Sequence, residues 1–167
     1  MAARYRLRQF FTAVGAQLAP DERVLVVRLL DPGELRLFER MSRFDQRHCL
    51  DVYHTLLRGG HTDPLLLRAA LIHDCGKVAD DGRAIPLIYY GMFVILRRLA
   101  PELYQWASRT GRGPLWPFPV HAAHAEHSAW LAPFVGSPPE LVAILHDYAV
   151  QRANARTAAL RWADEQN

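Results

Sequence analysis

Apolar residues return every three to four positions along nearly the whole chain, the spacing that gathers them on one face of an α-helix. This periodicity predicts helices at 4–19, 21–30, 32–58, 64–76, 85–99, 101–110, 120–134, 138–150 and 152–166, with a break near Ser42 inside the third. No segment alternates in the manner of a half-buried strand, and no internal repeat or low-complexity tract interrupts the pattern. The start signals agree with it. "DPGE" at 31–34 and "SPPE" at 137–140 each offer a capping residue, a proline at the first helical position and a glutamate three residues after the cap, and Asp63–Pro64 marks a third start. One Gly/Pro-rich stretch, "RTGRGPLWPFP" at 109–119, reads either as a flap over a pocket or as a surface connection anchored by Trp116 and Phe118. The expected fold class is all-α, a single-domain helical bundle over 1–167 in which 1–40 form an N-terminal helical extension and 41–167 the core.

Composition narrows the picture. Half of the 167 residues are apolar, enough to bury a core in one domain. The formal charge is +3, but Lys77 is the only lysine among twenty basic residues, so the balance reflects an arginine bias and gives no strong signal for nucleic-acid binding. Cys49 and Cys75 form neither a CxxC site nor a disulfide framework and read as small buried residues of a reducing, cytoplasmic compartment. Basic residues precede a short apolar stretch at the N-terminus, as in a secretory signal, yet Leu7, Phe10, Phe11, Val14 and Leu18 recur at helical spacing and favour an amphipathic first helix. "IPLIYYGMFVIL" at 85–96 is too short to span a bilayer and reads as a buried helix or the wall of a substrate cavity, so no membrane partner is expected.

The candidate chemistry begins at "LIHDCGKV", 71–78, where His73 and Asp74 stand side by side at the end of an apolar helix. Each would need a polar partner once removed from water. His48, His73, Asp74, His124, His146 and Asp164 fall on five of the predicted helices, and a bundle can turn all of them onto one centre. Imidazole and carboxylate together suit one or two divalent transition metals, among Mn, Fe, Co, Ni and Zn. Lys77 lies three residues after Asp74 and shares its face if the helix continues through Gly76. Asp45, three residues before His48, is placed to orient it, whereas His54 and His61 read as structural or exposed. Arg97, Arg98 and Arg112, with Arg83 and Arg109, surround a segment poor in acids and are candidate phosphate contacts; a solvated basic face accounts for them equally well.

"RHCLDVYHTLL" followed by "DPLLLRAALIHDCGKV" resembles the HD superfamily of metal-dependent phosphohydrolases. The resemblance covers about 48–164 and implies an all-α HD-domain fold. It makes His48 the first histidine ligand, His73 and Asp74 the doublet, and Lys77 the lysine that often follows. "HAEHSAWLAPFVGSPPELVAILHD" is similar to the stretch that carries two further histidines in binuclear members, here His124 and His146, and "LRWADEQN" to the helix bearing the last aspartate, here Asp164. His121 or His127 can replace His124 in this alignment, and Asp147 can replace Asp164. Ser128 stands where binuclear members usually have glycine, and the Gly-Tyr-Pro signature of the cyclic-di-GMP hydrolase branch is absent. The implied activity is hydrolysis of a small phosphorylated substrate, a phosphomonoester or phosphodiester of nucleotide type, by metal-activated hydroxide with Asp74 and Lys77 as catalytic residues. The same ligand set also resembles HD-type mixed-valent di-iron oxygenases, and a non-catalytic nucleotide-sensing module is the third reading.

Overall fold

The computed structural model describes residues 17–167. The helix expected at 4–19, apart from 17–19, lies outside the described residues, as does the N-terminal signal reading. Ten α-helices and two single 3-10 turns make up the secondary structure among the described residues, so the fold is all-α. In chain order they are α1 (Pro20–Leu29), α2 (Pro32–Arg40), α3 (Arg43–Arg58), α4 (Pro64–Ile72), α5 (Leu87–Leu99), α6 (Pro101–Thr110), α7 (Pro117–Ala122), α8 (His124–Phe134), α9 (Pro139–Ala149) and α10 (Ala155–Gln166). None of these helices is long and apolar enough to cross a membrane.

The main core gathers Leu50 and Leu56 of α3, Leu71 and Ile72 of α4, Leu141 and Leu145 of α9, and Leu160 of α10, all essentially solvent-free. Val26 of α1 and Phe38 of α2 are buried in the same cluster. Apart from Arg68, α4 is apolar, and it lies at the centre, touching α2, α3, α9 and α10, as a helix hydrophobic on nearly every side must. It starts where Asp63 accepts a hydrogen bond from the Leu65 N–H (3.0 Å) with Pro64 in the first turn.

The stretch at 32–58 is broken near Ser42 as expected, between Arg40 and Arg43, where the Ser42 hydroxyl accepts from the Asp45 N–H (3.1 Å) and opens α3. Two capping expectations changed on folding. Ser137 does not cap α9, which opens after Pro138; its hydroxyl donates to Glu34 (2.9 Å) instead. Glu34 makes only a long contact with the Asp31 N–H (3.4 Å), because its carboxylate takes a two-pronged interaction with Arg68 of α4 at 2.8 and 2.9 Å. Glu34 is fully buried and so ties α2, α4 and the turn before α9 together. Removing one partner of a buried pair leaves a charge stranded. Glu34→Ala is therefore expected to lower the unfolding free energy by about 3 kcal/mol in urea titration, and an unchanged midpoint would refute this role.

A second, aromatic cluster is built by α5, α6 and α7 around Phe93 and Phe118. The run at 85–96 is not the buried helix its composition suggested: Phe93 is the one fully buried residue of α5, while Ile88 and Leu99 are 69% and 75% exposed. Among the described residues, the face carrying Tyr89, Tyr90, Phe93 and Leu96 is the one that packs into this cluster. The stretch at 109–119 is an anchored connection, turned at Gly111 with a positive φ of 58°, with Phe118 buried and Trp116 packed on the aromatic cluster. The helix expected at 120–134 is also divided. The His121 carbonyl, which a continuous helix would offer to the N–H of residue 125, accepts from Nδ1 of His124 (2.6 Å), and α8 begins there.

Candidate metal centre

α4 ends at Ile72, and His73, Asp74 and the 3-10 turn Cys75–Lys77 follow it directly. Gly76 lets this turn pack closely on α8. A Cβ there would stand 2.1 Å from the His124 carbonyl oxygen and 2.7 Å from the Ser128 nitrogen, so only glycine lets the turn lie against the start of α8. The Gly76 N–H donates to the Ser128 hydroxyl (2.8 Å), which explains the serine at that position. Lys77 reaches Asp74 through this turn rather than along a continued helix face, Nζ to Oδ2 at 2.5 Å.

Around the doublet, α3 supplies His48, α8 supplies His124 and α10 supplies Asp164. His48 Nε2 donates to Asp164 Oδ1 (2.9 Å) and lies 3.6 Å from Asp74 Oδ2. His124 Nε2 is 3.3 Å from Asp74 Oδ1. His73 donates through Nδ1 to the Ala70 carbonyl (2.9 Å), which leaves Nε2 as the ring nitrogen turned to the site. That nitrogen is buried and has no hydrogen-bond partner, and it sits 3.7 Å from both Asp74 Oδ1 and Asp164 Oδ1.

These distances fit a cation. Two donor atoms that share one transition-metal ion are separated by roughly 3 to 3.5 Å, and the ligand atoms of His48, His73 and Asp164 lie within 4.8 Å of one another. A second grouping of Cys49, His73 and Asp74 fits less well, because His73 Nδ1 already serves Ala70 and burial pushes the Cys49 thiol pKa up, away from the thiolate a metal needs. Burial opposes ionisation of Asp74 and Asp164, but Lys77 and the imidazoles outweigh it at Asp74, and the hydrogen bond from His48 together with the nearby His73 imidazole does so at Asp164. Both carboxyls are held far below their ordinary range. Burial likewise disfavours a charged His73, yet the Asp74 carboxylate raises its pKa well above the ordinary value. The pocket thus favours positive charge at its centre. His124, by contrast, is driven toward the neutral form, first by burial.

His146 does not join the cluster. Leu141, Ile144 and Leu145 define the buried face of α9, and position 146 turns roughly 200° away from 144 at ~100° per residue. Its side chain is 58% exposed, with Nδ1 3.8 Å from Asp147. Asp147 is engaged by Arg152 (2.9 Å) and Asn154 (3.0 Å), so Asp164 is the last carboxylate of the site. Arg97, Arg98 and Arg112 are exposed and make no ion pair with the clustered residues; Arg97 lies over the Tyr104 ring at 6.0 Å. His127 bonds the Gly76 carbonyl (3.2 Å) and stacks on Trp130, away from the centre. His146→Ala is expected to leave metal stoichiometry and affinity unchanged in titration calorimetry, whereas His48→Ala weakens uptake by about 10-fold or more.

The sequence matches no protein-family model, no curated protein and no solved structure. The residues alone carry the assignment.

Four further side chains complete the site: Asp45 and His121, for which the sequence suggested other roles, and Tyr90 and Tyr148, which it did not single out. Asp45 does not orient His48; it accepts from the Ser42 hydroxyl (2.6 Å) and from Tyr90 of α5 (2.8 Å), and faces Lys77 Nζ at 3.6 Å. Tyr90 thereby links the aromatic cluster to the lysine. His121 is stacked on Phe93 at 3.9 Å and bonded to the Tyr104 hydroxyl (2.7 Å), and burial, with Lys77 and His124 nearby, lowers its pKa to about 3. Tyr148 of α9 donates to Asp164 Oδ2 (2.7 Å). It sits four residues after Ile144 on the buried face, a spacing visible in the sequence.

Proposed function

We propose that the chain is a metal-dependent hydrolase of HD type acting on a small phosphoester, a phosphomonoester or phosphodiester of nucleotide class. The observation that carries the reading is the bare, buried Nε2 of His73 facing two carboxylates. An unpartnered buried ring nitrogen is costly unless something completes it. His48, His73, Asp74 and Asp164 would hold a divalent transition metal, with His124 beside Asp74 Oδ1. When bound, such an ion supplies Lewis acidity that makes water nucleophilic near neutral pH and offsets phosphoryl charge.

The chain's own groups do the rest. Burial works against the Lys77 ammonium, but Asp74 and Asp45 outweigh it and raise its pKa, so Nζ keeps its proton and acts as a fixed positive charge rather than as a base. Tyr90, by holding Asp45, fixes where that charge stands. His124 keeps its Nδ1 proton on the His121 carbonyl and presents Nε2 as an acceptor beside Asp74. His48, His124 and Asp164 have partly exposed side chains, 16%, 25% and 31%, whereas His73 and Asp74 are shut away, so substrate approaches from the former edge. A six-ligand di-iron oxygenase site would call on His146, which points to solvent.

The test is elemental analysis of protein purified without chelator, followed by anaerobic assay of nitrophenyl phosphates and nucleotides with Mn²⁺ or Co²⁺. Expected are bound metal and turnover that EDTA abolishes and metal restores. Metal uptake with ligand-induced stabilisation but no turnover would replace catalysis by sensing, and no uptake after reconstitution would overturn the metal centre.

A further inference from the structure

α9 enters the site through Tyr148, not through its histidine. The Tyr148 hydroxyl donates to Asp164 Oδ2 at 2.7 Å, and its ring meets His73 edge-on with centroids 5.9 Å apart at 87°. The Arg161 guanidinium lies over the same ring, 5.9 Å from its centroid. Asp164 consequently has unequal oxygens. Oδ2 is occupied by the phenol, while Oδ1 accepts from His48 at 2.9 Å and faces the bare His73 nitrogen at 3.7 Å.

A carboxylate turns about its terminal torsion with little preference, so nothing in Asp164 itself selects which oxygen meets the site. Asp164 is also the most exposed of the four ligand side chains, 31% against 16% for His48, so packing confines it least. The hydroxyl at Oδ2 supplies the missing restraint. We infer that Tyr148 is a positioning residue for the proposed metal centre, holding Asp164 so that Oδ1 alone is presented to the cation. This rests on the metal-hydrolase reading and adds to it the group that sets the carboxylate's orientation. Burial pushes the phenol pKa upward, in keeping with a group that stays protonated and only donates. Ligands of metal sites are commonly oriented in this way by hydrogen bonds from behind, and loss of such a partner costs about 10- to 100-fold in affinity.

Tyr148 also packs on the core, and a phenylalanine would serve that purpose equally well. Tyr148→Phe therefore separates the two roles. The full chain and the variant are titrated with Co²⁺, following both affinity and the visible absorption bands, with far-ultraviolet circular dichroism to verify the fold. Positioning predicts native helicity, Co²⁺ affinity weaker by about 10- to 100-fold and altered bands. In an Asp164→Asn background, titrated at higher Co²⁺, the second substitution should add nothing, because the hydroxyl acts through the carboxylate. Wild-type affinity and spectrum in Tyr148→Phe would leave only a packing role and overturn the inference. An equal loss of affinity with and without the Asp164 carboxylate would do the same. A wild-type chain that takes up no Co²⁺ would instead bring down the metal reading itself, and the positioning role with it.

Discussion

Asp74→Ala is expected to abolish metal uptake and phosphoester turnover together, and to lower the unfolding free energy of the metal-free protein by about 3 kcal/mol. Both effects have one source. Asp74 is 1% exposed and touches everything that matters: Lys77 at 2.5 Å, His124 at 3.3 Å, His48 at 3.6 Å and His73 at 3.7 Å. Without it the site loses its central carboxylate, and the Lys77 ammonium is left in a dry pocket with only Asp45, 3.6 Å away. That remaining partner is why the cost falls at the lower end of what breaking a buried pair entails. Helical content at room temperature should survive, because the apolar contacts of α4 lie before the doublet. Asp74→Asn keeps the volume and removes the charge, so it separates chemistry from cavity formation. Calorimetric metal titration and urea unfolding followed by circular dichroism decide the matter. Wild-type metal affinity in Asp74→Asn would mean that the ligand set is wrong.

The second large effect is expected from Gly76→Ala, a change that helix propensity alone would score as favourable by up to about 1 kcal/mol. Sterics reverse the sign. The new methyl would lie 2.1 Å from the His124 carbonyl oxygen, 2.7 Å from the Ser128 nitrogen and 2.9 Å from the His127 Cβ. Two of these atoms are backbone of α8 and cannot rotate aside, so the whole helix start must shift. A loss of about 2 to 3 kcal/mol follows from overpacking of this kind. It is accompanied by weaker metal binding, since His124 is the first residue of the displaced helix and the Gly76–Ser128 hydrogen bond goes with it. A variant as stable as the wild type in urea would show that the turn does not seat against α8 as described.

Several features of the site can be read directly from the linear chain. Asp63–Pro64 announces α4, the run 65–72, apolar but for Arg68, makes it central, and the polar doublet at its end has to be satisfied by something other than water. His48, His73, Asp74 and Asp164 carry their chemistry in their residue types, and the helical period gives each an element from which to reach a centre. The same period, applied along 141, 144, 145 and 148, turns Tyr148 inward and His146 outward. A histidine read by residue type without its helical phase misleads.

Other features depend on partners distant in sequence. Whether Asp45 serves His48 or Lys77 turns on Tyr90, forty-five residues away, whose hydroxyl anchors the carboxylate on the lysine side. Ser137 looks like a helix cap until Glu34, 103 positions earlier, is packed beneath it. The division of the helix at Ala123 comes from a side-chain hydrogen bond that competes with the backbone ladder. Arg97 and Arg98 stand on the outer side of α5, whose aromatic face turns inward, and Arg112 in the connection that follows is exposed as well, a placement their clustering in sequence does not give. Sequence by itself determined the helical class, the start of the central helix and the residue types able to hold a cation, because propensity, periodicity and side-chain chemistry act within a few residues. Tertiary structure decided which of those side chains converge, because convergence depends on the phase at which each helix is buried and on contacts such as Gly76 against α8 that no local stretch encodes.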